Sequence, residues 1–556
     1  MVKRVFNFVY REVRGLHQAA YILALFAFAS QLLAIVRDRL LAHTFGAGFE
    51  LDLYYAAFRI PDLLFVLFAS ALSVFVLLPF VMQRTEEKNA KEGTKILSQM
   101  FTLFLLVYVV VAAALAFFAP FFVQLLFPGL VEHFDQLTLL MRILLLQPLL
   151  LGLSSLCGVV TQMNHRFILY AISPLLYNVG IILGIVVLYP YFGLTGLVLG
   201  VVLGAVGHLL IQVPYLIQSS YKFSLLFTFE WKLIGKILAV AVPRALTLST
   251  NQLVLLVLVG MATIMTAGSV SVFQFALNLQ SVPLVIIGMS YSVAAFPTLS
   301  SLYAKQDING FNLQLLTAFR HIIFWSIPIV VLVIVLRAQI VRVLLGSGEF
   351  DWSDTRLTAA VLAVFVISLT AQAILLLLTR AFYACGRTFT PLWIALLSGV
   401  VAVGSAFALK NWYMASPELQ SSVESLLRLS SVEGSEVLML VAAFAIGQFL
   451  QLFLMMVASI KLFSINYSLL WRLLWQSVVA GMTGGVIAYG VLRFLVDGIN
   501  QDTFLGILLQ GFIAGVAGLV SVVTVYHLCR SPELREIFKS FDIRLSRRPQ
   551  SNNSMN

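Results

Sequence analysis

The sequence predicts an all-α polytopic membrane protein with about fourteen transmembrane helices. Three observations carry that expectation. Of the 556 residues, 61% are hydrophobic and only 11% are charged, against about 25% charged in soluble proteins. The apolar residues collect in long runs. The few charges are sorted between alternate connections. A soluble protein of this length needs a charged surface that 24 acids and 35 Lys and Arg residues cannot supply. A disordered chain and a nucleic-acid-binding domain are excluded on the same ground.

A bilayer core takes about 20 consecutive apolar residues in helical form. Fourteen such segments succeed one another, from about 19–42 and 52–82 to about 472–496 and 503–528. Buried backbone groups with no water to bind must pair within the segment, so the segments are helices. The alternating pattern of a membrane barrel is absent. Lys3, Arg4, Arg11 and Arg14 precede the first segment. Its apolar run outlasts a signal core and lacks a small-residue cleavage site, so a retained first helix is expected.

The connections fix an expected orientation. One set holds Glu132, Asp135, Glu349, Asp351, Asp354, Glu418, Glu424, Glu433, Asp497 and Asp502. The other holds Arg84, Lys88, Lys91, Lys95, Arg166, Lys222, Lys232, Lys236, Lys305 and Arg387, followed by Arg530, Arg535, Lys539, Arg544, Arg547 and Arg548. Basic loops stay in the cytoplasm, which places both termini there and agrees with an even number of spans. The net charge of +11 is then largely an orientation signal rather than a nucleic-acid surface. The longest basic connection, 218–237, includes Phe229–Ile237 with Trp231, Lys232 and Lys236, and reads as a short interfacial helix. The polar, basic tail 530–556 reads as solvated.

Cys157, Cys385 and Cys529 lie far apart in apolar surroundings and behave as small hydrophobes. The seven histidines never cluster, so no metal or other cofactor is expected. His208 reads as a packing residue. Gly196, Gly200 and Gly204 share one helix face, as do Gly511, Gly515 and Gly518, which predicts close helix contacts.

Ionisable groups at membrane depth are costly and mark function. The densest set is RDRLLAHTFGAGFELDLYYAAFRIPD, holding Arg37, Asp38, Arg39, Asp52, Arg59 and Asp62. Arg37 and Asp38 are expected to pair across to the second span. Spacings of seven and three put Asp52, Arg59 and Asp62 roughly on one face, and Pro61 kinks the helix there. A charged, kinked face suits a polar cavity; the competing expectation is charges that snorkel to the interface. Gly46–Ala47–Gly48 reads as a tight external turn. Arg244, Asn251, Gln252, Asn278 and Arg380 are single polar positions in later spans. No nucleophile–base pair is present, so a transporter rather than an enzyme is expected.

At these residues the sequence resembles the MurJ (MviN) family, lipid II flippases of the multidrug/oligosaccharidyl-lipid/polysaccharide exporter superfamily. The similarity runs through Arg37–Asp38, Phe45–Gly48, Asp52, Ala57–Pro61, Asn164–Arg166, Pro174–Gly180, Pro243–Arg244, Gly268–Ser271, Phe296–Ser300, Ala381–Ala384 and Thr390–Pro391. It implies two six-helix lobes around a central cavity plus two C-terminal helices that line a groove for the polyprenyl tail. The divisions are then 1–217, the linker 218–237, 238–465, the extra helices 466–529 and the tail 530–556. The resemblance implies outward movement of a lipid-linked peptidoglycan precursor by alternating access, in a bacterial cytoplasmic membrane, by a monomer. Lipid II carries a pyrophosphate, which basic groups in a low-dielectric site attract strongly.

The site expected from residues and resemblance together is Arg37, Arg59, Asp38, Asp52, Arg39 and Arg244 for substrate. Asp52 and Asp62 are expected for gating or ion coupling, driven by the membrane potential or a cation. Gln31, Phe65, Val66, Asn278 and Ser281 stand where the family commonly has charged residues. Three alternatives therefore stay open: an exporter of another undecaprenyl-linked glycan, a cation-coupled small-molecule antiporter, and a non-transporting homologue.

Overall fold

The computed structural model describes residues 16–87, 89–219, 221, 223–430, 432–494 and 503–536. Expectations placed on Lys3, Arg4, Arg11, Arg14, Lys88, Lys222, Asp497, Asp502 and the tail beyond 536 lie outside these residues. Among the described residues there is no strand. The first helices are α1 (Leu16–Phe45), α2 (Phe49–Ala71), α3 (Val74–Glu87), α4 (Ala90–Phe117) and α5 (Ala119–Leu126). They are followed by α6 (Phe134–Leu144), α7 (Leu146–Met163), α8 (Phe167–Leu183), α9 (Tyr189–Leu210) and α10 (Val213–Gln218). Then come α11 (Trp231–Thr263), α12 (Ser269–Leu284), α13 (Ser290–Ala304), α14 (Ile308–Leu344), α15 (Trp352–Ile367) and α16 (Leu369–Ala384). The remainder are α17 (Phe389–Ala415), α18 (Pro417–Leu427), α19 (Val437–Phe463), α20 (Trp471–Phe494) and α21 (Phe504–Leu528).

Ten helical stretches among the described residues are long and apolar enough to cross a membrane, or eleven if the α15–α16 pair, bent by 44°, is one span. Fourteen is not reached by length and apolarity alone, for physical reasons. The second expected span, about 52–82, divides into α2 and α3, and α2 carries Glu50, Asp52, Arg59 and Asp62. The stretch Phe167–Gln218 counts once although it holds 52 residues. At 1.5 Å per residue that is ~78 Å, more than twice the ~30 Å hydrocarbon core. It breaks at Gly193, whose φ of 57° ends the first crossing and starts the second.

The chain forms two compact units. The first comprises Met1–Leu277, Leu344–Val361 and Thr388–Gly447; the second comprises Asn278–Val343, Leu362–Arg387 and Gln448–Asn556.

In the first unit α8 and α9 pack backbone to backbone. Gly180 lies against Gly204, and Gly184 against Gly200, so that a Cβ on any of them would collide with main-chain atoms. Of the expected small-residue face, Gly200 and Gly204 make this contact, while Gly196 lies against the Leu188 main chain. Small residues permit close approach where lipid gives helices no hydrophobic reason to associate. Gly200→Val is expected to cost about 1–3 kcal/mol by overpacking, read as a lower unfolding temperature in detergent. Gly207→Ala should be near neutral, since its Cβ would meet only Leu176 Cβ at 3.5 Å. Equal stability of both variants would contradict this packing.

The connection between α10 and α11 is bound down along α4. Buried Ser98 and Thr102 accept the backbone N–H groups of Ser224 (3.2 Å) and Leu226 (2.9 Å). Gln99 donates to the Thr228 carbonyl at 2.6 Å. Glu230 then pairs with Lys95 at 2.6 Å and Arg84 at 3.1 Å. Within 229–237, expected as a separate interfacial helix, residues 231–237 are the first turns of α11, and no proline interrupts the helix before Pro243.

In the second unit α20 and α21 lie against α14. Gly481 faces Pro328, Gly485 faces Val331, and Gly518 faces both Leu332 and Gly484. Tyr526 closes the junction, donating to the Phe324 carbonyl at 2.8 Å and bonding Ser477 at 2.9 Å. The start of the segment expected as a solvated tail is fixed. Glu533, 2% exposed, accepts from Ser531 at 2.7 Å and pairs with Arg320 of α14 at 2.6 Å.

Candidate functional site

The site is assembled in the first unit from α1, α2, α7, α8 and the start of α12. Asp38 and Arg37 are adjacent on α1, and the carboxylate holds the guanidinium side-on. Arg37 Nε and Nη2 donate to Asp38 Oδ1 at 2.9 and 2.7 Å. The two, expected to pair across to the second span, also pair with each other. The contact across is to α8, where Arg37 Nη1 donates to Asn178 Oδ1 at 3.1 Å. Asn178 is positioned in turn by its own amide, which donates to the Pro174 carbonyl (3.1 Å) and Ser30 Oγ (3.3 Å). The arginine side chain is 21% exposed and the aspartate 10%. The cation is therefore the accessible partner, and Asp38 and Asn178 orient it.

On α2 the three expected charges divide between neighbours. Asp52, 3% exposed, caps the amino end of α12. Its carboxylate accepts from Gly268 N and Ser271 N, both at 2.7 Å, and from Ser271 Oγ at 2.6 Å. These are the orphan donors that every helix N-terminus leaves, and a carboxylate there also meets the positive end of the helix dipole. Arg59, 5% exposed, donates Nη2 to Gln274 one turn along α12. Among the described residues its Nε has no hydrogen-bond partner, nor does the hydroxyl of Tyr55 four residues earlier. Asp62 turns toward α7, within reach of the Gln147 amide and the Arg59 guanidinium. Gln147 also donates to Tyr177 of α8 at 3.1 Å.

Tyr54 lies within electrostatic reach of Arg37, Asp38 and Asp62, Tyr55 of Arg37, Asp38 and Arg59, and Tyr177 of Arg37 and Asp62. The arrangement is two guanidinium groups with carboxylates and phenols near them. Guanidinium groups present fixed N–H forks that suit phosphate oxygens. Phenol hydroxyls add neutral donors for sugar or amide oxygens. Arg39 and Arg244 are half-buried, at the end of α1 and within α11.

The turn before α2 is held from outside. Gly46 has φ of 60°, Ala47 N donates to Asp354 at 3.0 Å, and Glu349 N donates to the His43 carbonyl at 3.0 Å. This is the tight turn that the two glycines imply. Among the described residues, no three His, Cys, Asp or Glu side chains come together as a metal-binding group.

Sequence reasoning missed Tyr54, Tyr55, Gln147, Tyr177, Asn178 and Gln274 as site residues. The Tyr54–Tyr55 pair was legible, standing between Asp52 and Arg59 in an otherwise aliphatic run. Asn178 sits in the Pro174–Gly180 segment that carries the family resemblance. Gln147 and Gln274 give no signal in one sequence.

Comparison with known proteins identifies the family of the chain. A family model described as "Lipid II flippase MurJ" matches residues 41–508. The chain is 30% identical over 389 residues to the probable lipid II flippase MurJ of Buchnera aphidicola subsp. Acyrthosiphon pisum, covering 66% of this chain and 73% of that protein. It is 26% identical over 388 residues to the lipid II flippase MurJ of Burkholderia cenocepacia, covering 68% and 75%. Among solved structures, a lipid II flippase MurJ in an inward closed conformation superposes with a TM-score of 0.71 at 21% identity, covering 91% of this chain and 99% of that one. An inward-facing multidrug resistance MATE family transporter of the MOP superfamily gives 0.63 at 13% identity, covering 78% and 94%. At those identities the structural likeness is one of fold.

Proposed function

The chain belongs to the MurJ family of lipid II flippases, and from that premise we propose how its own residues handle the substrate. It is a multi-pass membrane protein that translocates lipid II. The observation that supports the site assignment is the Arg37 guanidinium, exposed on one side and fixed on the other by Asp38 and Asn178. Arg37 takes the pyrophosphate. Arg59, with an unbonded Nε–H beside the unbonded Tyr55 hydroxyl, contributes a second cation and donor as the head group enters. Arg39 and Arg244 add positive potential that steers the anionic head toward this point.

Asp52 and Asp62 are the gating pair of this reading. Asp52 ties α2 to α12, so any event that neutralises its carboxylate loosens that tie. Asp62 lies next to Arg59 and responds when a phosphate competes for the guanidinium. Movement is of the lobes 1–217 and 238–465 about the linker 218–237, with 466–529 lining a groove for the prenyl tail. The membrane potential or a cation supplies the coupling. Both termini are cytoplasmic, by the sorting of Lys and Arg described above, and the protein works as a monomer in the bacterial cytoplasmic membrane. The chemistry is binding and movement, with no bond made or broken.

The direct test is genetic complementation of a bacterium depleted of its own flippase. The wild-type chain should restore wall growth, and Arg37→Ala/Arg59→Ala should fail at equal membrane abundance. Full rescue by the double variant would remove both arginines from the mechanism. No rescue by the wild-type chain, once inserted, would count against lipid II as the substrate.

A further inference from the structure

One cavity of the first unit takes no part in the site described. It has a volume of about 290 Å³ and lies among α2, α4 and α11, with Leu67, Phe68, Met100, Phe104, Val242 and Leu246 in its walls. Every lining side chain is apolar. Val242 and Leu246 are 45% and 41% exposed, so the cavity opens on the outer surface of the helices. Two of its walls, α4 and α11, belong to stretches long and apolar enough to cross a membrane. Such an opening meets hydrocarbon rather than water.

Position along α11 fixes the depth. Trp231, 65% exposed, begins the helix. It lies on the cavity face, seven residues before Leu238 and fourteen before Ala245, since those spacings return to one side of a helix. Exposed tryptophan of this kind marks the membrane interface. Leu238, the first wall residue of α11, is about 10 Å below it at 1.5 Å per residue. From Leu238 to Leu246 the wall runs a further ~12 Å, so it ends about 22 Å below Trp231, past the middle of a ~30 Å hydrocarbon core, and a chain entering from the Trp231 end meets Leu238 first. Lys232 and Lys236 are exposed beside Trp231, and α11 carries no acidic residue. They place cations at headgroup level.

We propose that this cavity is a binding site for one acyl chain of a glycerophospholipid, whose phosphate lies at the level of Trp231, Lys232 and Lys236. The apolar walls suit a hydrocarbon chain, and the exposed Lys232 and Lys236 at the start of α11 suit the phosphate of the same lipid. Burial of each methylene against the Leu, Met and Phe walls supplies the affinity. The inference rests on the membrane-spanning reading and is independent of the Arg37 site, so failure of lipid II transport leaves it standing.

The test is native mass spectrometry of the full chain released from nanodiscs of phosphatidylethanolamine and phosphatidylglycerol. The wild-type protein should keep one phospholipid under conditions that strip the rest. Ala245→Trp fills the cavity from inside, and Leu246→Trp plugs its mouth at an exposed position that tolerates a larger side chain. Either should lower retention at least fivefold with the unfolding temperature unchanged. If Ala245→Trp does not fold, Leu246→Trp carries the test. Lys232→Gln/Lys236→Gln should lower retention to a smaller extent. Equal retention by a folded cavity variant overturns the proposal. So does a wild-type chain that sheds all phospholipid, or one whose retained molecule is a polyprenyl lipid.

Discussion

Arg37→Ala is expected to weaken lipid II binding by about 30-fold or more and to abolish flipping in reconstituted vesicles. Truncating one partner of a buried, hydrogen-bonded charge pair costs about 2–5 kcal/mol, and each 1.4 kcal/mol is a factor of ten. Two losses combine here. The phosphate loses its fork of N–H donors, and Asp38, 7% exposed, is left with its negative charge facing an anionic ligand. Arg37→Lys separates the two. It keeps the charge, but one ammonium cannot hold Asp38 through two nitrogens and reach Asn178 with a third, so partial binding is expected. Asn178→Ala removes only one orienting bond and should cost a few-fold. Isothermal titration with a water-soluble lipid II analogue measures all three. An unchanged affinity for Arg37→Ala in folded protein would exclude Arg37 from the site.

Much of the fold was legible because a bilayer leaves the chain few choices. Apolar runs of span length must be helices, and Gly200 and Gly204 at a spacing of four must offer a face to a neighbour. The break at Gly193 was legible too, since it falls where the sequence divides two spans at about 168–189 and 193–216. The continuity of α11 through residues 231–237 was hidden by Trp231, Lys232 and Lys236, which read as a separate interfacial helix. The tail also misled: its basic composition concealed Glu533, whose partner Arg320 is 213 positions away.

The site was legible in its charges and not in its neutral groups. Arg37, Asp38, Arg59 and Asp62 stand out because charge at membrane depth is costly. Asn178, Gln147 and Gln274 act by reaching across between helices, and nothing in a polar amide states which helix it will face. The adjacency of Arg37 and Asp38 suggested two outward partners. The two also form a pair within the helix, in which Asp38 takes two donors from Arg37 and Arg37 keeps one for Asn178.

Asp52 shows the same limit from the other direction, and it gives the second large prediction. Its charge marked it for ion coupling, yet its carboxylate is occupied by three donors from Gly268 and Ser271. Asp52→Ala should therefore cost about 2–4 kcal/mol, the penalty for stranding buried donors that had an ionised acceptor. It should appear first as a lower unfolding temperature. Asp52→Asn keeps one acceptor oxygen without the charge and should fall between, because hydrogen bonds to an ionised group are roughly twice as strong as neutral ones. Ser271→Ala removes only the hydroxyl and should cost about 1 kcal/mol. The Asp52→Ala/Ser271→Ala double variant should then lose less than the sum, since both changes act on one bond. Additive losses would mean the cap is not the tie between α2 and α12. If the cap is also a gate, Asp52→Asn should reduce flipping more than its modest loss of stability explains, while leaving the affinity for lipid II near wild type. Loss of affinity in step with Arg37→Ala would instead place Asp52 with the substrate groups.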